Sequence, residues 1–264
     1  MILVDVHSHM YSKQFKEDID EVIKRAENAG VKAIIAAGVD EKTNRETLEL
    51  AKKYNLVKAA LGIYPPDALE RETGKSSQLK PIQSIDKEIK FIESKKNEII
   101  ALSEFGLDYL SEDADKKTQQ EIFVKLLNLA KKIDKPVIVH SRKAEADVID
   151  ILEKENMKKV VLHCFCGRTS LIKRAIEKGW CFSIPTNIVK SQQFQDMVKI
   201  VPLPQLLTET DAPFLSPYKD AAGKSKRNEP SFIIESIKKI AEIKGMTQED
   251  IANIVFSNYQ RLFL

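Results

Sequence analysis

The chain has 264 residues, 43% hydrophobic and 31% charged, a composition that excludes disordered and fibrous classes and buries on the order of 70–75% of its unfolded surface. Its 42 basic and 39 acidic side chains leave a net charge of +3, too small to hold nucleic acid by bulk electrostatics, so any polyanion must be recognised locally. Length over the usual domain size gives roughly 1.8 domains, which admits one α/β barrel or two smaller domains.

The first residues, Met1-Ile-Leu-Val-Asp, read as a strand and lack the basic start of a signal peptide, so no leader is expected. Strands are predicted at Ile2–Val6, Val31–Ala37, Val57–Ile63, Ile99–Leu102, Pro136–Val139, Lys159–Leu162, Trp180–Ile184 and Leu206–Thr210. These are short Val- and Ile-rich runs of the kind that parallel sheets bury on both faces.

Helical spacing fills the intervals. In Gln14–Ala29 the apolar residues Phe15, Ile19, Val22, Ile23 and Ala26 share one face, and Gly30 stands where a glycine ends a helix. Further helices are predicted at Lys42–Tyr54, Asp86–Lys95, Lys117–Ile133, Glu145–Glu155, Thr169–Lys178, Ser191–Ile200, Ser231–Ile243 and Gln248–Phe263. Tyr64-Pro-Pro and the stretch from Pro213 to Glu229 read as long loops after strands. Eight strand–helix units predict a single (β/α)8 TIM barrel domain over residues 1–264, with an open doubly wound sheet as the alternative. No run approaches the ~18 apolar residues of a membrane span. The three cysteines, an odd number, point to a reducing cytoplasm rather than a disulfide framework.

The four histidines, His7, His9, His140 and His163, all fall at the C-terminal ends of predicted strands, which converge on one face of a parallel barrel. His7 and His9 are two residues apart on a strand and point to the same side, about 6.5 Å apart, a pincer for one metal ion. Asp5 continues that row as a candidate hydrogen-bond partner for a ligand. Glu104 and Asp211 take equivalent places on other strands. Four imidazoles and two carboxylates exceed one tetrahedral ion and suit two divalent cations sharing a carboxylate. Mixed His and carboxylate donors suit Zn²⁺, Mn²⁺ or Fe²⁺, whereas Mg²⁺ prefers oxygen.

Other features carry less. Cys164 and Cys166 sit beside His163, but alternation turns them from the shared face, and Cys181 reads as a small core residue. Lys219, Lys224, Lys226 and Arg227 make a basic loop after Asp211, and Arg142 follows His140 by two residues; these would meet phosphates on the same rim.

Asp5-Val-His-Ser-His, Ser103-Glu-Phe-Gly-Leu-Asp-Tyr, Pro136-Val-Ile-Val-His-Ser-Arg, His163-Cys-Phe, Glu209-Thr-Asp-Ala-Pro-Phe-Leu and Arg227-Asn-Glu-Pro together resemble the motifs of the TatD family of metal-dependent deoxyribonucleases, in order and over essentially the whole chain. The resemblance implies a metallo-dependent hydrolase barrel with two divalent ions that cleaves DNA phosphodiesters, from the 3′ end or at damaged sites. It implies that His7, His9, Glu104 and Asp211 hold one ion, and that Glu104, as bridge, with His140 and His163 holds the other. Two departures stand out. Gly62-Ile-Tyr-Pro-Pro replaces the frequent Gly-x-His-Pro-His, putting Tyr64 at a position that usually meets substrate, and Ser183-Ile-Pro-Thr lacks a common glycine.

On this reading Asp211 activates water, with Glu104 also catalytic, and Arg142, Tyr64, Tyr109, Lys226, Arg227 and Asn228 are the candidate substrate contacts. DNA is the expected partner, and no protein partner is visible. Two alternatives use the same residues: a small-molecule amide, ester or phosphoester hydrolase, and a metal-binding scaffold without turnover.

Overall fold

The computed structural model describes residues 1–74 and 82–264. Eight strands form one sheet in chain order: β1 Leu3–Ser8, β2 Val31–Ala37, β3 Val57–Leu61, β4 Ile99–Asp108, β5 Val137–Arg142, β6 Val160–His163, β7 Cys181–Pro185 and β8 Leu206–Glu209. The described helices are α1 Ile19–Asn28, α2 Glu41–Lys53, α3 Pro66–Thr73, α4 Ile82–Ser94, α5 Lys116–Ile133, α6 Glu145–Lys154, α7 Thr169–Glu177, α8 Gln192–Ile200, α9 Ile234–Lys244 and α10 Gln248–Phe263. Strand–helix alternation with a sheet in chain order is the (β/α)8 fold. No helix of the described residues is long and apolar enough to cross a membrane.

The chain divides into two compact units. The first comprises Met1–Ala36, Leu50–Lys58 and Cys181–Leu264. Within it β7 pairs with β8, and β1 with β2, all parallel. β8 lies against β1: Thr208 Oγ1 donates to Val4 O at 2.8 Å, and Asp211 N donates to His7 O at 2.9 Å. The second unit comprises Ala37–Glu49 and Ala59–Trp180, with parallel pairs β3–β4, β4–β5 and β5–β6. Core strands are buried along both faces, which is why they are continuous apolar runs rather than alternating ones.

Helix boundaries follow local chemistry. Asp115 caps α5 by accepting from Thr118 N, and Thr247 caps α10 by accepting from Asp250 N. Gly30 follows α1 at φ +92°, where a Cβ would lie 2.5 Å from Met1 O; the predicted helix stop is present for that reason.

Four sequence readings are corrected. The helix predicted from Gln14 is a 3-10 turn at Lys13–Phe15, and α1 starts only at Ile19. The segment from Ser231 likewise opens as a 3-10 turn, Pro230–Ile233, before α9. Tyr64-Pro-Pro is not all loop, since Pro66 is the first residue of α3 and Gly74, at φ +65°, ends it; proline fits the first helical position, where its missing N–H has no helical partner. Strand β4 runs six residues past Leu102, because Phe105, Gly106, Leu107 and Asp108 pair with Val139, His140, Ser141 and Arg142 of β5.

Gly106 permits that pairing. It sits at φ +153°, and a Cβ there would lie 2.0 Å from His140 O. Gly106→Ala is expected to destabilise the protein by about 3 kcal/mol or more, since backbone cannot yield as a side chain does. Thermal melting checks this, and an unchanged Tm would remove the close approach as a constraint.

Candidate metal centre

Each unit carries one cluster of imidazoles and carboxylate. In the first unit His7 lies on β1, His9 one residue past its end, and Asp211 two residues past β8. The backbone knits these ends together, with His9 N donating to Ala212 O at 2.7 Å and Asp211 N donating to His7 O. His9 Nε2 is 3.2 Å and His7 Nε2 3.7 Å from Asp211 Oδ1. The donor atoms of all three lie within 4.8 Å of one another, the spacing of a ready-made cation site. Buried nitrogen and carboxylate donors of this kind suit a divalent ion. Asp211 has φ +55°, a left-handed conformation that Asp and Asn tolerate better than most residues. Its side chain is 14% exposed, against 0% for His7, so it is the more solvent-facing end of the cluster.

Two neighbours shape this cluster. The Tyr11 hydroxyl lies 3.2 Å from His9 Nδ1, leaving Nε2 toward Asp211. Asp5, expected from the sequence to hydrogen-bond a ligand, meets His7 at its backbone N–H: it accepts from Thr210 N at 2.9 Å, Thr210 Oγ1 at 2.5 Å and His7 N at 3.3 Å. It ties the β1 end to the β8 end.

Burial, only partly offset by the Thr210 and His7 hydrogen bonds, pushes the Asp5 carboxyl up to about 8. An acid whose folded value is raised contributes its stability below the unfolded value, near 4, and loses it as pH rises toward 8. Asp5→Asn, neutral throughout, is expected to flatten the decline of Tm between pH 5 and 8, and parallel Tm profiles for wild type and variant would refute this account.

In the second unit, Glu104, His140 and His163 come from the adjacent strands β4, β5 and β6. His140 Nδ1 lies 3.0 Å and His163 Nε2 3.8 Å from Glu104 Oε1. All three are buried, from 3% to 9% exposed. The other nitrogen of His140, Nε2, meets Asp108 Oδ2 at 3.3 Å, a carboxylate–histidine pair that fixes the ring.

Asp108 is a hub the sequence reading missed. Its buried carboxylate takes Arg142 Nε at 2.7 Å, Arg71 Nη2 at 3.2 Å, the Tyr64 hydroxyl at 3.2 Å and Leu110 N at 3.0 Å. Burial opposes its ionisation, but the hydrogen bonds from His140, Arg142 and Leu110 outweigh that and hold the carboxyl well below the usual range. Burial likewise disfavours a charged His140, yet Asp108 and Glu104 push its value up. One signal could have found Asp108: it stands four residues after Glu104 on one strand, hence on the same face.

The expected substrate contacts are placed unevenly. Tyr64 is 5% exposed, its hydroxyl 3.2 Å from His140 Nε2 and its ring 4.8 Å from the imidazole; it packs on a candidate ligand and has no open face for stacking a base. Burial, with the charges of Glu104, Glu72 and Asp108, keeps its phenol protonated. Arg142 is ion-paired with Asp108 and Glu72. The Tyr109 hydroxyl donates to Asp147 at 3.1 Å and accepts from Gln120 at 2.9 Å.

In the loop after β8, Lys226 is exposed, but Arg227 makes two bonds to Asp18, at 2.7 and 2.6 Å, over the Phe15 ring. Asn228 is fully buried and donates to Thr186 Oγ1, Thr210 O and Phe214 O. These two anchor the loop. Phe214, 55% exposed and 5.9 Å from His9, is the exposed aromatic beside the first cluster that the sequence reading passed over. Among the described residues no cysteine joins a metal-competent cluster.

These geometries agree with the comparisons. A family model described as TatD related DNase matches residues 4–264. The chain is 35% identical over 266 residues to a human protein named deoxyribonuclease TATDN3, covering 99% of this chain and 94% of that one. It is 33% identical over 266 residues to YabD of Bacillus subtilis, named as a metal-dependent hydrolase, covering 99% of each. The crystal structure of YJJV, a TatD homolog from Escherichia coli, superposes with a TM-score of 0.87 at 26% identity, covering 99% of this chain and 97% of that one. With six ordered motifs, a matching fold and both histidine–carboxylate clusters in place, the chain belongs to the TatD-related DNase family of metal-dependent hydrolases.

Proposed function

We propose that residues 1–264 act as one domain, a deoxyribonuclease that hydrolyses DNA phosphodiesters with two divalent metal ions, trimming from the 3′ end or acting at damaged sites. The observation that carries this reading is the pair of buried histidine–carboxylate clusters at the strand C-terminal ends, one per unit. His7, His9 and Asp211 would hold one ion and Glu104, His140 and His163 the other, and the family resemblance adds Glu104 to the first set. Mg²⁺, Mn²⁺ and Zn²⁺ are the candidates. When bound, such ions supply Lewis acidity that lowers the pKa of water and neutralises phosphate charge.

The chain's own residues do the rest. Asp211, the more exposed end of its cluster, accepts the proton of the attacking water. Asp108 holds the His140 ring through Nε2, leaving Nδ1 toward Glu104. Arg142 presents its guanidinium to a phosphate that displaces Glu72, the more exposed of its two carboxylate partners. Phe214 offers a face for a terminal base. Cys164, Cys166 and Cys181, none of them in a disulfide, suit a reducing compartment, and we place the protein in the cytoplasm.

The test is cleavage of 3′-labelled and 5′-labelled single-stranded oligonucleotides with Mg²⁺ or Mn²⁺ and again with EDTA. Metal-dependent loss of the 3′ label first supports the proposal. Protein that holds its ions yet leaves DNA intact under every metal fails it, and turnover of a neutral ester or amide would then favour the small-molecule hydrolase.

A further inference from the structure

The second unit contains a cavity of about 460 Å³ lined by the loops that leave the C-terminal ends of β4, β5 and β6 and by the first turns of α5, α6 and α7. Its wall includes Tyr109, just beyond β4, Lys143, three residues after His140, and Arg168, five residues after His163, with Lys116 from the start of α5. Strand polarity thus puts it on the rim that carries Glu104, His140 and His163. The volume lies in the lower half of the ~300–1,000 Å³ typical of small-ligand sites and admits about one nucleotide.

Arg168 differs from the other arginines of the described residues. Every other arginine among the described residues is held by a carboxylate or a carbonyl. Arg168 and Lys143, both exposed, make no side-chain hydrogen bond or ion pair among the described residues. Two carboxylates also line the cavity, Glu145 and Asp147, and Asp147 is taken up by the Tyr109 hydroxyl and Gln120 Nε2, each at 3.1 Å. Those bonds fix the Tyr109 ring, and Lys116 Nζ sits 4.9 Å from its centroid. Two uncommitted cations beside an immobilised aromatic ring are the elements that bind a nucleotide of single-stranded nucleic acid: phosphate to guanidinium and ammonium, base to ring.

We propose that this cavity is a subsite for a nucleotide flanking the scissile bond, with Arg168 and Lys143 on its phosphate and Tyr109 beside its base. The inference rests on the nuclease reading for its substrate class, and it adds a role in holding the strand rather than in the chemistry. A single nucleotide held here gives longer strands an affinity that a substrate too short to reach the cavity lacks.

Fluorescence anisotropy of a short fluorescein-labelled phosphorothioate oligo-dT with the full chain tests it. Arg168→Gln and Lys143→Gln are each expected to raise Kd about 10-fold, and to lower the slope of log Kd against log salt by about 0.7 per charge removed. In cleavage the loss should fall on KM rather than on kcat. Lys173→Gln, which removes an exposed charge of α7 outside the cavity lining, should bind as wild type. The subsite is overturned if both cavity variants bind as wild type, if Lys173→Gln weakens binding equally, or if the wild type binds no oligonucleotide. Binding that the cavity variants weaken, by a protein that does not cleave, would sustain the subsite and sink the nuclease assignment; cleavage by variants with unaltered KM would do the reverse.

Discussion

Glu104→Ala is expected to lower DNA hydrolysis at least about 10³-fold, equivalent to about 4 kcal/mol of transition-state stabilisation, and to empty the second-unit cluster of metal. Glu104 is in direct contact with both His140 and His163 there, and without it that cluster keeps its two imidazoles to hold a divalent ion. Because Glu104 is only 3% exposed, the alanine also leaves a small void, so Glu104→Gln, which keeps the volume and removes the charge, is the companion variant. Metal content by mass spectrometry, read beside turnover, separates loss of ligation from loss of fold. Full metal content with full activity in Glu104→Gln would take this carboxylate out of the site.

Asp211→Asn is expected to cut kcat by about 10²–10⁴-fold, the range for removing a general base, while metal stays bound at the second-unit cluster. The substitution is conservative in backbone terms, because asparagine also accepts the left-handed conformation that Asp211 adopts at φ +55°. The amide oxygen can still face His7 and His9, but the side chain no longer takes a proton. Asp211→Ala would confound the comparison by adding strain at the same position. A pH–rate profile and kcat at saturating substrate are the measurements, and wild-type turnover in Asp211→Asn would assign the proton to another group.

Much of this was legible in the chain, and the reasons it was legible explain what was not. The strands announced themselves because both their faces are buried, so Val31–Ala37 and Val57–Leu61 are nearly uninterrupted apolar runs. The histidines stood out because they are few and all lie at strand ends. The far half of strand β4 is not legible locally, because Ser103, Glu104, Gly106 and Asp108 look like a loop and only the partner strand β5 makes residues 105–108 a ladder. Asp108 was overlooked for the same reason: its partners His140, Arg142 and Tyr64 lie 32, 34 and 44 residues away, beyond any local pattern. Charge sign misled at Arg227, since nothing in the sequence says that Asp18, 209 residues earlier, claims its guanidinium. Arg168 has no sequence signature, because an arginine shows its lack of partners only once its neighbours are in place.

The separation of the candidate ligands along the chain bears on the order in which the two clusters form during synthesis. Glu104, His140 and His163 leave the ribosome within one continuous stretch that supplies β4, β5 and β6, whereas His7 and His9 must wait for Asp211, about 200 residues later. Local contacts form sooner than remote ones, and N-terminal portions fold first. On the proposed two-ion reading the second-unit cluster would therefore be complete before Asp211 joins His7 and His9, and metal loading is expected to follow that sequence. Proteolytic protection of nascent chains, scored before and after residue 211 emerges, checks the order. If both clusters hold an ion, protein made under metal shortage is expected to lack it first at His7 and His9, the end where Asp211 is proposed to accept the proton.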